Sequence, residues 1–130
     1  MPAAETVFQI EPPLAVLTFN RPEARNAQDL RLTRDLNDAF DYANQDDQVK
    51  VIILSGEGPH FNSGHDMRGG TGLGFNDVRP IGTWAGFDLE GAEGAMAKEE
   101  EIYLQMCRRW RNLPKPMIAE VISRASQVIP

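Results

Sequence analysis

Between Leu14 and Leu54 the sequence sets out a strand, a helix and a second strand, and no other feature narrows the fold as much. Leu14-Ala15-Val16-Leu17-Thr18-Phe19 is rich in β-formers and apolar on both faces, which predicts a well-buried strand. Leu32, Leu36, Ala39, Phe40 and Ala43 then recur at steps that draw one stripe on a helix of 3.6 residues per turn. Val49-Lys50-Val51-Ile52-Ile53-Leu54 is a short, almost continuous apolar run between polar neighbours, the pattern of a central strand covered on both faces. Strand, helix and buried strand within some fifty residues is the signature of an α/β fold.

The flanking segments extend this reading. Residues 1 to 20 predict a hairpin, with Thr6, Phe8 and Ile10 on one face and Pro12-Pro13 ending the ladder because neither proline has an N–H to donate. Asn20-Arg21-Pro22-Glu23 is a turn. Asn26 is the expected N-cap of the helix, with Asp29 in its first turn at the positive end of the dipole. Arg31 with Asp35, and Arg34 with Asp38, stand four apart on its outer face. Residues 69 to 98 hold most of the chain's eleven glycines without sustained periodicity, which predicts a long variable loop that binds something or moves. A second helix is expected from Glu99, opened by Glu99-Glu100-Glu101, closed by Arg108, Arg109 and Arg111, and stopped by Pro114. Its inner face would carry Ile102, Met106, Arg109-Trp110 and Leu113. A further strand begins at Pro116, with no helix after it to cover it.

Composition narrows the function classes. With 130 residues, 42% hydrophobic and 25% charged, the chain has the make-up of one soluble globular domain. Thirteen basic against nineteen acidic residues leave a net charge of −6, so a general nucleic-acid binder, with its basic surplus, is not expected. No apolar run approaches the ~20 residues of a membrane span, and no basic-then-apolar leader opens the chain. A cytoplasmic protein without membrane partners is therefore expected. The lone Cys107 forms no internal disulfide and builds no Cys-rich metal site.

Several motifs fail on context. Gly70-Thr71-Gly72-Leu73-Gly74 lacks the preceding strand, the following helix and the glycine spacing of a dinucleotide loop. The Gly58 to Gly64 stretch has the wrong spacing for a phosphate-cradling loop, with no Lys-Ser or Lys-Thr after it. His60, His65 and Asp66 have no helix to align them as metal ligands, so no metal site is expected. There is no Gly-x-Ser-x-Gly elbow, and Cys107 lies mid-helix without a nearby base.

Three pieces point in one direction when taken in order. They are Asn20-Arg21-Pro22-Glu23-Ala24-Arg25-Asn26-Ala27, the strand from Val49 to Leu54, and Phe61-Asn62-Ser63-Gly64-His65-Asp66-Met67. Together they resemble the crotonase superfamily of enoyl-CoA hydratases and isomerases. The likeness runs from about Val7 to Arg68 and resumes over Cys107 to Pro116 and Ile118 to Val121. The resemblance implies an α/β fold of the crotonase-like ββα spiral type, here its amino-terminal part over residues 1 to 121, with residues 69 to 98 as the variable loop. It implies an acyl-CoA thioester as substrate, with coenzyme A part of that substrate and no separate cofactor.

Such thioesters react through an enolate-like state whose negative charge gathers on the thioester oxygen, and backbone N–H groups aimed at that oxygen stabilise it. By the resemblance, the N–H of His65 is the first oxyanion donor, whatever its side chain. Gly64 would let the backbone approach the ligand. Ser63, Asp66 and Met67 would line the CoA-proximal turn. The backbone around Ala24 and Ala27 would cradle the adenine and pantetheine parts, with Arg25 on a CoA phosphate.

The tail departs from that pattern. Ile122 to Pro130 contains no glycine, where the family places a second oxyanion glycine in a Gly-rich turn, with its acid/base glutamates later still. The expectation is a catalytically incomplete chain with a non-family tail over residues 122 to 130, leaving a CoA-binding or interaction remnant as the alternative reading. An apolar edge at Ile118 to Val121 further predicts marginal stability or self-association. The family's usual trimers and hexamers do not carry over to such a chain.

Overall fold

A computed structural model describes residues 6–66, 86 and 89–121. They divide between two compact units, one comprising Met1–Thr71 with Pro114–Pro130 and the other Gly72–Leu113. Met67, most of the glycine-rich stretch and the 122–130 tail lie outside the described residues.

In the first unit, β1 (Thr6–Glu11) and β2 (Leu14–Phe19) form the expected hairpin, antiparallel, with Glu11 opposite Leu14 across the Pro12-Pro13 turn. Burial fades along β1: Thr6 is buried, Phe8 half-buried and Ile10 exposed. In β2 the alternation is clean, with Ala15, Leu17 and Phe19 buried. The helix α1 (Leu30–Gln45) packs on β1 and β2 through the predicted stripe: Leu32, Leu36, Ala39, Phe40 and Ala43 are all buried. Burying each large member of that stripe contributes about 1.5–3 kcal/mol. On the outer face the guanidinium of Arg34 reaches its neighbour Asp35 at 3.1 Å.

The chain then crosses back to β3 (Val51–Gly56), parallel to β2, with Val16 paired to Ile53. β4 (Met117–Ala119) adds a third parallel strand, giving the order β1-β2-β3-β4. β3 is therefore central, as its composition predicts. Val49 and Ile52 are fully buried, but Val51, Ile53 and Leu54 are only half-buried, so the double cover expected of the run is incomplete among the described residues. β4 is the last strand in this order, and Ile118 and Val121 are exposed. Just before β4, the ammonium of Lys115 donates to the carbonyls of Ala43 and Asp46, each at 2.7 Å. It thereby satisfies acceptors that the end of α1 leaves open and sits where the helix dipole favours a cation.

The second unit corrects the sequence reading. The helix expected from Glu99 begins eight residues earlier: α2 (Gly91–Lys98) continues through a π-helical stretch, Glu99–Leu104, into α3 (Gln105–Arg111). The last eight residues assigned to the loop are thus helical. Gly91 and Gly94 lowered the apparent propensity of this segment. Gly94 is explained by close approach, since a Cβ there would overlap the carbonyl of Leu89. Glu99 to Glu101 therefore lie mid-helix rather than at a dipole end, and Glu101 is fully buried. The predicted inner positions Ile102, Met106 and Trp110 are buried, and the three arginines do occupy the last turn.

Candidate functional site

The candidate site lies within the first unit, where the chain turns from β2 into α1. Pro22–Ala24 is a short 3-10 turn, followed by two consecutive left-handed residues, Arg25 (φ 55°) and Asn26 (φ 56°). Left-handed backbone costs an ordinary residue about 1–2 kcal/mol, and asparagine tolerates it best. Asn26 is fully buried and holds the turn with its side chain. Its Oδ1 accepts from the N–H of Arg21 at 2.8 Å, and its Nδ2 donates to the carbonyls of Glu57 at 3.0 Å and His60 at 2.7 Å. Asn26 is thus not the N-cap of α1. Asp29 is, with its carboxylate accepting from the N–H of Leu32 at 2.8 Å. Both residue types cap helices, and only the tertiary turn separates their roles.

Arg21 completes the knot. Its side chain is 12% exposed and ties separate parts of the turn together. The guanidinium pairs with Asp29 at 3.3 Å and with Asp66 at 3.2 Å, and it donates to the carbonyl of Ala27. Removing one partner from a buried pair of this kind costs about 3–5 kcal/mol, so the carboxylate of Asp66 is a structural member of the network.

The 62–66 segment is bound to the same turn. Asn62 donates through Nδ2 to the carbonyl of Asn26 at 2.7 Å and accepts through Oδ1 from the N–H of Gly64 at 2.7 Å. Gly64 has φ 95°, which favours glycine, while a Cβ there would meet open space. A one-residue parallel bridge joins Gln28 to His65. The N–H of Gln28 donates to the carbonyl of Gly64 at 2.7 Å, and the N–H of Asp66 donates to the carbonyl of Gln28 at 2.8 Å. In a planar trans peptide the C=O and N–H point in opposite directions. With the Gly64 carbonyl directed at Gln28, the N–H of His65 is directed away from it. The ring Nδ1 of His65 lies 3.0 Å from the carbonyl of Asp66.

An open cleft of about 370 Å³ is lined by Glu23, Ala24, Arg25, Ala27, Ser63, His65 and Asp66. The resemblance drawn from the sequence points to all of these except Glu23, and Gly64 lies between two of them. Met67 lies outside the described residues. Sequence reasoning missed the roles of Arg21 and Asn62, whose only signal was the Arg-Pro-x-x-x-Asn-Ala and Phe-x-x-Gly-x-Asp motifs that contain them. Among the described residues no three His, Cys, Asp or Glu side chains converge as metal ligands. No helix among them is long and apolar enough to cross a membrane.

The family model for enoyl-CoA hydratase/isomerase matches residues 9 to 79, more than half of the chain. The chain belongs to the enoyl-CoA hydratase/isomerase family. A Mycobacterium tuberculosis protein named as enoyl-CoA hydratase EchA13 is 36% identical over 112 residues, covering 83% of this chain and 35% of that protein. Among solved structures, a Mycobacterium smegmatis protein titled as an enoyl-CoA hydratase superposes with a TM-score of 0.69 at 34% identity, covering 92% of this chain and 41% of that one. A Mycobacterium thermoresistibile structure with the same description gives 0.68 at 35% identity, covering 90% and 40%. The chain thus has the crotonase fold in part, spanning about two-fifths of the length of these solved relatives. The bridge, the Asn26 turn and the Arg21 network are how this family member builds the cleft between its Arg-Pro and Phe-x-x-Gly-x-Asp motifs.

Proposed function

We propose that this chain forms the acyl-CoA-binding and oxyanion portion of an enoyl-CoA hydratase/isomerase site. The observation that supports the reading most is the direction of the Gly64–His65 peptide, whose carbonyl is held by Gln28 in a segment that lines the cleft. A thioester carbonyl seated against the N–H of His65 would gain a donor as enolate-like charge develops on its oxygen. Losing one such donor typically costs about 2.7–4 kcal/mol of barrier, or 100- to 1,000-fold in rate. Ser63 and Gly64 would flank the thioester. The backbone at Ala24 and Ala27 would follow the pantetheine and adenine parts, and the exposed Arg25 would meet a CoA phosphate.

Among the residues lining the cleft, the carboxylates belong to Glu23 and Asp66. Asp66 is paired with Arg21, and Glu23 is exposed on the turn rather than held against the 63–66 segment. That favours a second reading alongside the first: the chain by itself binds acyl-CoA without turning it over.

Calorimetric titration with acetyl-CoA tests the binding role. Saturable heat that falls about tenfold in affinity in Arg25→Gln is expected, from the loss of a charge-assisted contact worth about 1.4 kcal/mol. No saturable heat for the parent chain would overturn the proposal. Crotonyl-CoA hydration, followed by loss of enoyl absorbance, separates the two readings: steady turnover by this chain would refute the purely binding one.

A further inference from the structure

We infer that Arg21 is a positioning residue for the oxyanion amide, acting through its contact with Asp66 rather than touching the substrate. The inference rests on the proposed role of the His65 N–H. Arg21 grips both walls of the cleft at once and does so with charge, whereas Asn62 joins them through neutral bonds to the carbonyl of Asn26 and the N–H of Gly64. The guanidinium holds the Ala24–Ala27 wall through the carbonyl of Ala27 and the 63–66 wall through the carboxylate of Asp66, 3.2 Å away, while Asp29 fixes its other nitrogen to the start of α1 at 3.3 Å. The Gln28–His65 bridge lies between these two anchor points, with its hydrogen bonds entering from residues adjacent to them. Residue 28 follows Ala27, and the donor to Gln28 is the N–H of Asp66 itself. The guanidinium thereby sets the separation and register of the two segments, and so the plane of the Gly64–His65 peptide.

A planar, three-way fork does this and an ammonium does not. Lysine keeps the charge but cannot present fixed, divergent donors to a carbonyl and two carboxylates. Arg21→Lys is therefore expected to leave a folded chain whose cleft walls are out of register. Asp66→Asn cuts the same link from the other side, keeping an acceptor but removing the ionic contact.

The test is isotope-edited infrared spectroscopy of acetyl-CoA, labelled at the thioester carbonyl and bound at saturating concentration, so that differences in affinity drop out. Polarisation by a well-aimed N–H lowers the carbonyl stretching frequency of the bound ligand in the parent chain. The expected result is that Arg21→Lys and Asp66→Asn each lose at least half of that shift. Lys115→Ala, which loosens the end of α1 away from the cleft, is expected to lower the melting temperature while keeping the full shift. A full shift in both Arg21→Lys and Asp66→Asn would overturn the positioning role and leave the functional reading intact. If Arg21→Lys does not fold, Asp66→Asn decides alone. A loss in Lys115→Ala equal to that in the cleft variants would also overturn it, by reducing the effect to general stability. No shift in the parent chain would overturn the functional reading and this inference with it.

Discussion

Replacing Asn26 by alanine is the most informative perturbation of the fold, because one buried side chain closes the turn on which the cleft is built. Alanine removes three hydrogen bonds, to the N–H of Arg21 and to the carbonyls of Glu57 and His60. A buried polar group left unsatisfied costs about 1–3 kcal/mol. Two of the three orphans are carbonyls, which are less costly to strand than an N–H, and the loop is only partly buried, so about 1 kcal/mol each is the fitting end of that range. Alanine must also hold φ 56°, which adds about 1 kcal/mol that asparagine largely escapes. The sum is about 4 kcal/mol, a large fraction of the ~5–15 kcal/mol that holds a domain together. Asn26→Gly should recover about 1 kcal/mol of that loss by relieving the backbone alone. Asn26→Asp should be at least as damaging as alanine at neutral pH, because it sets a carboxylate oxygen against two carbonyls. Its folded-state pKa would be raised above the unfolded value, so the lost stability should return in part as pH falls through that raised pKa, the gain being complete by about 4. Urea denaturation followed by circular dichroism, with hydrogen exchange across residues 57–62, measures all three. An alanine variant that costs under about 1 kcal/mol, or an aspartate variant as stable as the parent, would refute the reasoning.

Two further outcomes follow from single positions. At Gly56, the last residue of β3, an added Cβ would lie 2.6 Å from the carbonyl of Phe61 and 3.0 Å from Nδ2 of Asn26, so Gly56→Ala should cost about 1–3 kcal/mol in the same denaturation assay and weaken acetyl-CoA binding alongside. Cys107 is exposed, yet partial desolvation pushes its thiol above the usual range, so its rate of disulfide exchange with an aromatic disulfide reagent should rise with pH along a curve displaced to the alkaline side of a free cysteine in the unfolded chain. Tyr103, one turn earlier, is raised chiefly by burial and then by Cys107, so both groups contribute stability that is intact at neutral pH and lost as the solution becomes alkaline.

The elements that were legible in the sequence are those set by local periodicity. The stripe from Leu32 to Ala43 declares itself because each residue's burial follows from its neighbours three or four positions away, whereas β2, read as apolar and buried on both faces, buries Ala15, Leu17 and Phe19 but leaves Leu14, Val16 and Thr18 half-buried. Asn26 was misassigned because Asn-Ala-Gln-Asp offers two good capping residues, and only contacts with Glu57 and His60, more than thirty positions on, decide between them. The helix at Gly91 was hidden by glycines that a neighbouring turn requires. At the cleft, the lining residues were read from motif resemblance. The grip of Arg21 on Asp66 spans 45 positions, and no periodicity reports a contact of that range.

The bridge between Gln28 and His65 is made entirely of main-chain atoms. An alanine scan, which deletes side chains and keeps every peptide group, passes straight over it. A library varied at position 65 alone would read as tolerant and suggest an idle residue. Proline, at 28 or 66, is the substitution that removes a strut from this join, so the importance of the segment would surface only in a scan built to edit the backbone.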